Sequence, residues 1–123
     1  MSIPQSGGIP LEHHNQLAQY LADGCKPKSD WRIGTEHEKF GYDKAGLNPL
    51  PYNGFCGIKA MLEGLREGFG WKPVEEDGNI IGLTKGGANV SLEPGGQLEL
   101  SGAPLETIHE TCDEVNSHLK EVK

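Results

Sequence analysis

Two hydrophobic periods alternate along the chain, and together they predict an α+β fold. Apolar residues recur every three or four positions in three segments, which is the period of an amphipathic helix. These predicted helices cover residues 10–22, 58–69 and 104–123. Elsewhere, short runs of strand-forming residues are separated by turn residues. We therefore predict an α+β domain with about three helices and an antiparallel sheet, built from a meander plus one long N-terminal strand.

The strands of this sheet are predicted from residue type and turn chemistry. The long strand is expected over residues 31–42, where aromatic and β-branched residues occur without a helical stripe. The meander follows from residue 71 onward. Its turn signals are Asp77-Gly78, Lys85-Gly86-Gly87 and Pro94-Gly95-Gly96.

We make a separate structural prediction for each end of the chain. Residues 1–8 are polar and turn-prone, and we predict a mobile arm there. The last helix reaches residue 123 without a Gly, Asn or Pro stop signal, so we expect a single domain, 1–123, that is the N-terminal portion of a longer protein. A natural helix with a frayed end is the alternative. The buried stripe predicted for this helix is Leu105, Ile108, Cys112, Val115, Leu119 and Val122.

Charge and cysteine usage narrow the class of protein. The chain has 11 basic and 18 acidic side chains, a net charge of −7, which disfavours nucleic acid and anionic membranes as partners. The three cysteines have no spacing typical of zinc sites, so reduced thiols are expected. The sequence shows no secretory signal, transit segment or apolar run of bilayer length. These features predict a cytoplasmic protein.

Four glutamates are the candidates for chemistry. Glu36 and Glu38 share a strand face because side chains alternate with period two. Glu93 and Glu99 flank the Pro-Gly-Gly turn, and they share a face only if the loop has three residues. A two-residue loop would place them on opposite faces. We favour the three-residue loop because it also gathers the apolar residues of both strands on the other face.

Carboxylates gathered on one face repel each other, and cations relieve that repulsion. Mg²⁺ and Mn²⁺ prefer oxygen ligands, so a divalent metal site is one hypothesis, and solvated charges on an exposed face are the other. His37 lies on the opposite face by parity and is interpreted as structural. No nucleophile with an adjacent base is found, so no catalytic residue is assigned.

Three longer segments resemble the glutamate-cysteine ligases of the proteobacterial and plant type, also called gamma-glutamylcysteine synthetases. These segments are WRIGTEHEKFG at residues 31–41, IIGL at 80–83 and SLEPGGQLELSGAPLET at 91–107. The resemblance implies a fold related to glutamine synthetase, with metal-binding glutamates on the concave face of a curved sheet. It also implies ATP-dependent ligation of L-glutamate, through its γ-carboxylate, to L-cysteine, the first step of glutathione synthesis.

The same resemblance implies a site. Glu36 and Glu38 would be ligands of Mg²⁺ or Mn²⁺, and Glu93 and Glu99 would be the contribution of the second strand pair. Gln97 and Ser101 would face the substrate. Members of this family are several times longer, so we expect this chain alone to have little or no activity.

Two other functions and one assembly also follow from the sequence. A related ligase with another amine acceptor would share the metal site. A non-catalytic acidic module would bind divalent ions or a protein partner. An exposed sheet edge would allow a homodimer through strand addition.

Overall fold

The computed structural model describes residues 8–123, which form three α-helices, one short 3-10 helix and a five-stranded antiparallel sheet. In chain order these are α1 (Asn15–Asp23), the 3-10 helix (Lys28–Asp30), β1 (Glu36–Lys39), α2 (Ile58–Phe69), β2 (Lys72–Glu76), β3 (Asn79–Lys85), β4 (Ala88–Glu93), β5 (Gln97–Ser101) and α3 (Ile108–Glu121). The predicted α+β class is confirmed. The predicted arm over residues 1–8 lies, apart from Gly8, outside the described residues.

The sheet has the strand order β1-β5-β4-β3-β2, and every neighbouring pair is antiparallel. Strands β2 to β5 form the predicted meander. Its first turn has positive φ at both Asp77 (49°) and Gly78 (76°), as a type I′ hairpin requires. Strand β1 pairs with β5 on the side opposite β4, so β1 and β2 are the edge strands of this sheet.

Strand β1 is much shorter than the predicted strand over residues 31–42. Regular pairing covers Glu36–Lys39, and only an isolated bridge joins Ile33 to Leu105. The segment from Glu36 back to Ile33 spans three residue steps, whereas the opposite segment from Ser101 to Leu105 spans four. The extra residue breaks the ladder, and Pro104 has no N–H to restore it.

The core lies between α2 and one face of the sheet. Leu83, Val90 and Leu100 are consecutive cross-strand neighbours, so they share this face. They form one buried cluster with Leu62 and Leu65 of α2. Helix α2 has the predicted boundaries and ends at Gly70, whose φ of 74° is the left-handed conformation of a helix stop.

Helix α3 buries only part of the stripe predicted for it: Leu105 and Val122 pack partly buried against the core, and Val115 and Leu119 are half-buried. Ile108 is 70% exposed and Cys112 is also exposed, whereas the buried residues of this helix are Thr111 and His118. The prediction that Cys112 belongs to the core is therefore wrong. The helix covers only the predicted segment from residue 108 onward, because Thr107 and Glu110 form a capping box there.

Polar contacts explain how α3 is oriented. The His118 ring packs edge-on against the Trp71 ring, with 6.2 Å between centroids. The Glu121 carboxylate accepts hydrogen bonds from Trp71 Nε1 (2.7 Å) and Lys85 Nζ (2.9 Å). Glu114 accepts one from the Ala103 N–H (2.8 Å). These anchors turn the apolar stripe partly outward, which hydrophobic period alone does not predict.

Helix α1 begins at Asn15, later than predicted. The Gln16 side chain accepts hydrogen bonds from the backbone N–H groups of Glu12 (2.8 Å) and His13 (2.9 Å), which holds those residues in a turn before the helix. No residue of α1 is buried. Within residues 8–123, no helix combines the length and the apolar content that crossing a bilayer requires.

Candidate metal centre

Strand register places the four candidate glutamates on one face of the sheet. Glu38 of β1 lies directly opposite Glu99 of β5, and Glu36 lies opposite Ser101. Glu93 of β4 lies opposite Gln97 of β5, which shares the face of Glu99 by parity. We call this surface, formed by Glu36, Glu38, Glu93, Glu99, Gln97 and Ser101, the acidic face. The Glu93–Gln97 pair also confirms the predicted three-residue loop.

Of the four glutamates, Glu38 and Glu99 are the two that the backbone holds closest together. Residues directly opposite on antiparallel strands have Cβ atoms about 5 Å apart, so their carboxylates can reach one cation. Glu36 lies two residues along β1, roughly 7 Å away. Glu93 is the most distant from Glu38, because β5 lies between their strands.

Burial separates Glu99 from the other glutamates. Glu99 is 7% exposed, Glu93 is half-buried, and Glu36 and Glu38 are exposed. The Ser101 hydroxyl donates a hydrogen bond of 2.7 Å to Glu99 Oε1. A buried carboxylate needs such donors, so Ser101 both stabilises and orients the Glu99 side chain.

The residue types fit an oxygen-preferring divalent ion. Carboxylate oxygens are the ligands that Mg²⁺ and Mn²⁺ favour, and strands hold them on a stiff platform. As placed, no group of three or more His, Cys, Asp or Glu side chains in residues 8–123 surrounds a common point. Glu36 and Glu38 are exposed and can change rotamer, so the ligand role of these residues remains a prediction.

His37 and Lys39 lie behind the acidic face, on the core side of β1. His37 pairs with Leu100 and Lys39 with Leu98, both of which belong to the core. Burial is the main cause that lowers the pKa of His37, and the nearby Lys39 charge lowers it further. Burial also lowers the pKa of Lys39. The predicted orientation of His37, away from the glutamates, is confirmed.

Ser91 is a residue of this face that the sequence analysis did not select. It lies opposite Glu99 on β4 and is 5% exposed. Its hydroxyl has no hydrogen-bond partner among the described residues. The available signal was parity, since Ser91 and Glu93 are two positions apart on one strand.

Comparison with known proteins decides the family. A model of glutamate-cysteine ligase family 2 (GCS2) matches residues 32–123. The chain belongs to glutamate-cysteine ligase family 2. The match includes all four glutamates of the acidic face, and the resemblance found in the sequence is confirmed.

Several glutamate-cysteine ligases are closely similar to this chain. Glutamate-cysteine ligase A, chloroplastic, of Oryza sativa subsp. japonica is 58% identical over 107 residues, which are 87% of this chain and 21% of that protein. The chloroplastic enzyme of Medicago truncatula is 59% identical over 107 residues, which are 87% of this chain and 20% of that protein. The one of Arabidopsis thaliana is 55% identical over 114 residues, which are 93% of this chain and 21% of that protein. The chain thus spans about a fifth of the length of these relatives.

The same comparison overturns the cytoplasmic prediction. Each of these relatives is named as chloroplastic. The prediction relied on reduced cysteines and on the composition of the first residues. Neither feature distinguishes the cytosol from a plastid, because targeting segments are removed from mature proteins.

Proposed function

We propose that the protein is an ATP-dependent glutamate-cysteine ligase, in which this chain supplies part of the metal-binding surface. The reaction joins the γ-carboxylate of L-glutamate to the amine of L-cysteine, the first step of glutathione synthesis. The observation that carries the proposal is the cross-strand pair Glu38–Glu99 on the acidic face of a family 2 chain. The names of the relatives make the chloroplast the proposed compartment.

In this proposal, Glu36, Glu38 and Glu99 hold Mg²⁺ or Mn²⁺, and Glu93 is the more distant contributor. A bound divalent ion supplies charge neutralisation for the phosphate oxygens of ATP during phosphoryl transfer. Ser101 keeps the Glu99 carboxylate oriented, which reduces the reorganisation needed on binding.

Other residues of the acidic face contribute to substrate binding in this proposal. Gln97 and Ser101 are half-buried and face the same side as Glu99. Both carry groups that donate and accept hydrogen bonds. They are the proposed contacts of this chain to the substrate.

The two arginines support the view that this chain alone turns over poorly. Arg32 forms an ion pair with Glu106 (3.2 Å), and Arg66 forms one with Glu63 (2.8 Å). Phosphates and amino-acid carboxylates need cationic partners as well as metal ions. Because both arginines are already paired, we expect further cationic groups of the complete enzyme to contribute to substrate binding.

The metal site can be tested by titrating the chain with Mn²⁺ and following free Mn²⁺ by electron paramagnetic resonance. Glu38→Gln and Glu99→Gln should each weaken binding about tenfold or more, because each removes an anionic ligand. Glu75→Gln is the matched control, since Glu75 is an exposed glutamate of β2 paired with the core residue Ile80. Equal affinities in all four proteins would contradict the site.

The reaction can be tested with a chimera in which this chain replaces the matching segment of the Medicago truncatula relative. ADP release should then require both glutamate and cysteine, and Glu38→Gln should abolish it. Replacing cysteine with other amines separates this proposal from a related ligase. A folded chimera that binds ATP but releases no ADP would count against the proposed activity.

The homodimer expected through a sheet edge stays a proposal. Strand β2 is a poor edge for pairing, because Pro73 lacks an N–H and three of the five residues of this strand are charged. Strand β1 is the better candidate for strand addition. The expected lack of nucleic-acid and membrane partners also stays a prediction.

A further inference from the structure

Helix α3 turns a stripe of polar side chains toward the sheet. The stripe consists of Glu110, Glu114, His118 and Glu121, which follow one another at steps of four, four and three residues and all line one cavity. Residues at such steps share one face of a helix. The polar face of a surface helix usually meets solvent, whereas here Ile108 is the side chain that is 70% exposed. We call the four residues the polar stripe of α3.

The cavity beneath the polar stripe has a volume of about 340 Å³, which is within the range of small-molecule sites. Leu100 of β5 lines it, and the side chain of Leu100 points to the opposite face from that of its neighbour Glu99. The cavity is therefore separate from the acidic face. Its inner wall consists of buried residues, and its mouth of exposed ones. The wall includes Trp71, Ala88, Leu100 and Ala103, and the mouth includes Lys85, Gly86 and Ser117.

His118 gives an independent sign that this cavity takes a ligand. The residue is only 2% exposed, and neither ring nitrogen has a hydrogen-bond partner among the described residues. Buried polar groups are normally paired. A neutral imidazole donates a hydrogen bond from one nitrogen and accepts one at the other. His118 therefore offers both kinds of hydrogen bond to a molecule in the cavity.

Glu114 has the carboxylate with unused capacity in the polar stripe. Its Oε1 accepts a hydrogen bond from the Ala103 N–H (2.8 Å), but its Oε2 is buried without a partner among the described residues. The Glu121 carboxylate already accepts from Trp71 Nε1 and Lys85 Nζ. The Glu110 carboxylate belongs to the capping box. A donor that enters the cavity therefore finds its acceptor at Glu114.

The charges around the cavity select the charge of the ligand. Three carboxylates line it, and Lys85 is the single lysine or arginine among its described lining residues. His118 is neutral near pH 7, because burial lowers its pKa to about 4. The charge of Lys39 also acts on His118, but with Lys39 included the carboxylates are still in excess. The cavity therefore attracts a cation and repels an anion.

We propose that this cavity binds a small primary amine with an apolar body. The ammonium group donates hydrogen bonds to the Glu114 carboxylate and to a ring nitrogen of His118, which are neighbours one turn apart on α3. The apolar body packs against Trp71 and Leu100 on the inner wall. The site lies on the other side of the sheet from the proposed metal centre, and it does not depend on the proposed function.

Phenethylamine is the probe for the test, because it joins an ammonium group to an apolar ring. We expect ¹H–¹⁵N NMR of the chain near neutral pH to show saturable shifts at the Trp71 indole N–H, the Ala103 amide and the His118 ring. 2-Phenylethanol has the same size without the charge and should bind about tenfold more weakly. Phenylacetate carries the opposite charge and should give no saturable shift at these positions.

Two variants test whether the polar stripe forms the site. Glu114→Gln removes the charge and should weaken phenethylamine binding about tenfold. Asp113→Asn is the matched control, since Asp113 is an exposed acid of the same helix that does not line the cavity. Ser117→Trp places an indole at the exposed mouth and should also weaken binding about tenfold, with Asn116→Trp as its control. This mouth variant decides the matter if Glu114→Gln does not fold.

The possible outcomes support or overturn the amine site without reference to the metal centre. Absence of saturable shifts would mean that the cavity takes only water, and it would overturn the proposal. Equal affinities for phenethylamine and 2-phenylethanol, or affinities unchanged in both Glu114→Gln and Ser117→Trp, would overturn it as well. Glu38→Gln should leave phenethylamine binding unchanged. Amine binding in a chain that does not bind Mn²⁺ would support this site and contradict the proposed metal centre.

Discussion

Acidification should destabilise this protein through His118, well before its carboxylates protonate. The His118 side chain is 2% exposed, packs against the Trp71 ring, and has no hydrogen-bond partner for either ring nitrogen among the described residues. Burial is the main cause that lowers the pKa of His118, from 6.5 to about 4. The charges of Lys39 and His37 lower it further, and Glu121 opposes the shift.

The sign and size of the effect follow from proton linkage. The unfolded chain binds the His118 proton near pH 6.5, whereas the folded chain binds it only near pH 4. The contribution of the neutral His118 to the free energy of unfolding is therefore fully present above pH 6.5, and it is lost as the pH drops toward 4. One pKa unit corresponds to 1.36 kcal/mol, so the full loss is about 3 kcal/mol, and about 2 kcal/mol of it occurs between pH 7 and pH 5.

Urea denaturation at pH 7, 6 and 5 measures this loss. His118→Phe keeps an aromatic ring beside Trp71 but removes the titration, so its stability should change about 2 kcal/mol less than that of the native chain over this range. Some dependence should remain, because the pKa of His37 is also lowered. His109→Phe, at an exposed histidine of the same helix, is the matched control. Equal pH dependence in the native chain and His118→Phe would refute the reasoning.

Two further predictions concern the scaffold that supports the acidic face. Leu62→Ala should lower the free energy of unfolding by about 3 kcal/mol, because Leu62 is fully buried between α2 and the sheet. Urea titration measures this loss, and Leu17→Ala, at a leucine that is 55% exposed, is the control. Similar losses of stability in both variants would contradict the prediction. Thr107→Ala should cost about 1 kcal/mol by removing the capping box of α3, and an unchanged thermal midpoint would show that the box does not stabilise the helix.

Local features of the sequence were sufficient for the elements closest to the acidic face. Helix α2 has the predicted ends, because its amphipathic period and Gly70 act within a few residues. The turns at Asp77-Gly78 and Pro94–Gly96 follow from the φ angles that these residues adopt easily. The three-residue loop then puts Glu93 and Glu99 on one face without any long-range information.

Only the tertiary structure decided which strand lies beside Glu99. Strand β1 pairs with β5 through contacts between distant parts of the chain, and turn chemistry carries no signal for that choice. The shortening of β1 to Glu36–Lys39 has the same origin, since it depends on the extra residue before Leu105 on the partner segment.

The sequence by itself thus determined the class of fold, the local turns and the parity of the four glutamates. The tertiary structure decided that Glu38 faces Glu99, that α3 docks through His118 rather than through Cys112, and that a cavity adjoins His118. The physical reason is the separation along the chain over which each interaction acts. Periodicity and turn residues act over a few positions, whereas partners in a sheet, buried polar contacts and cavities arise only when distant segments pack together.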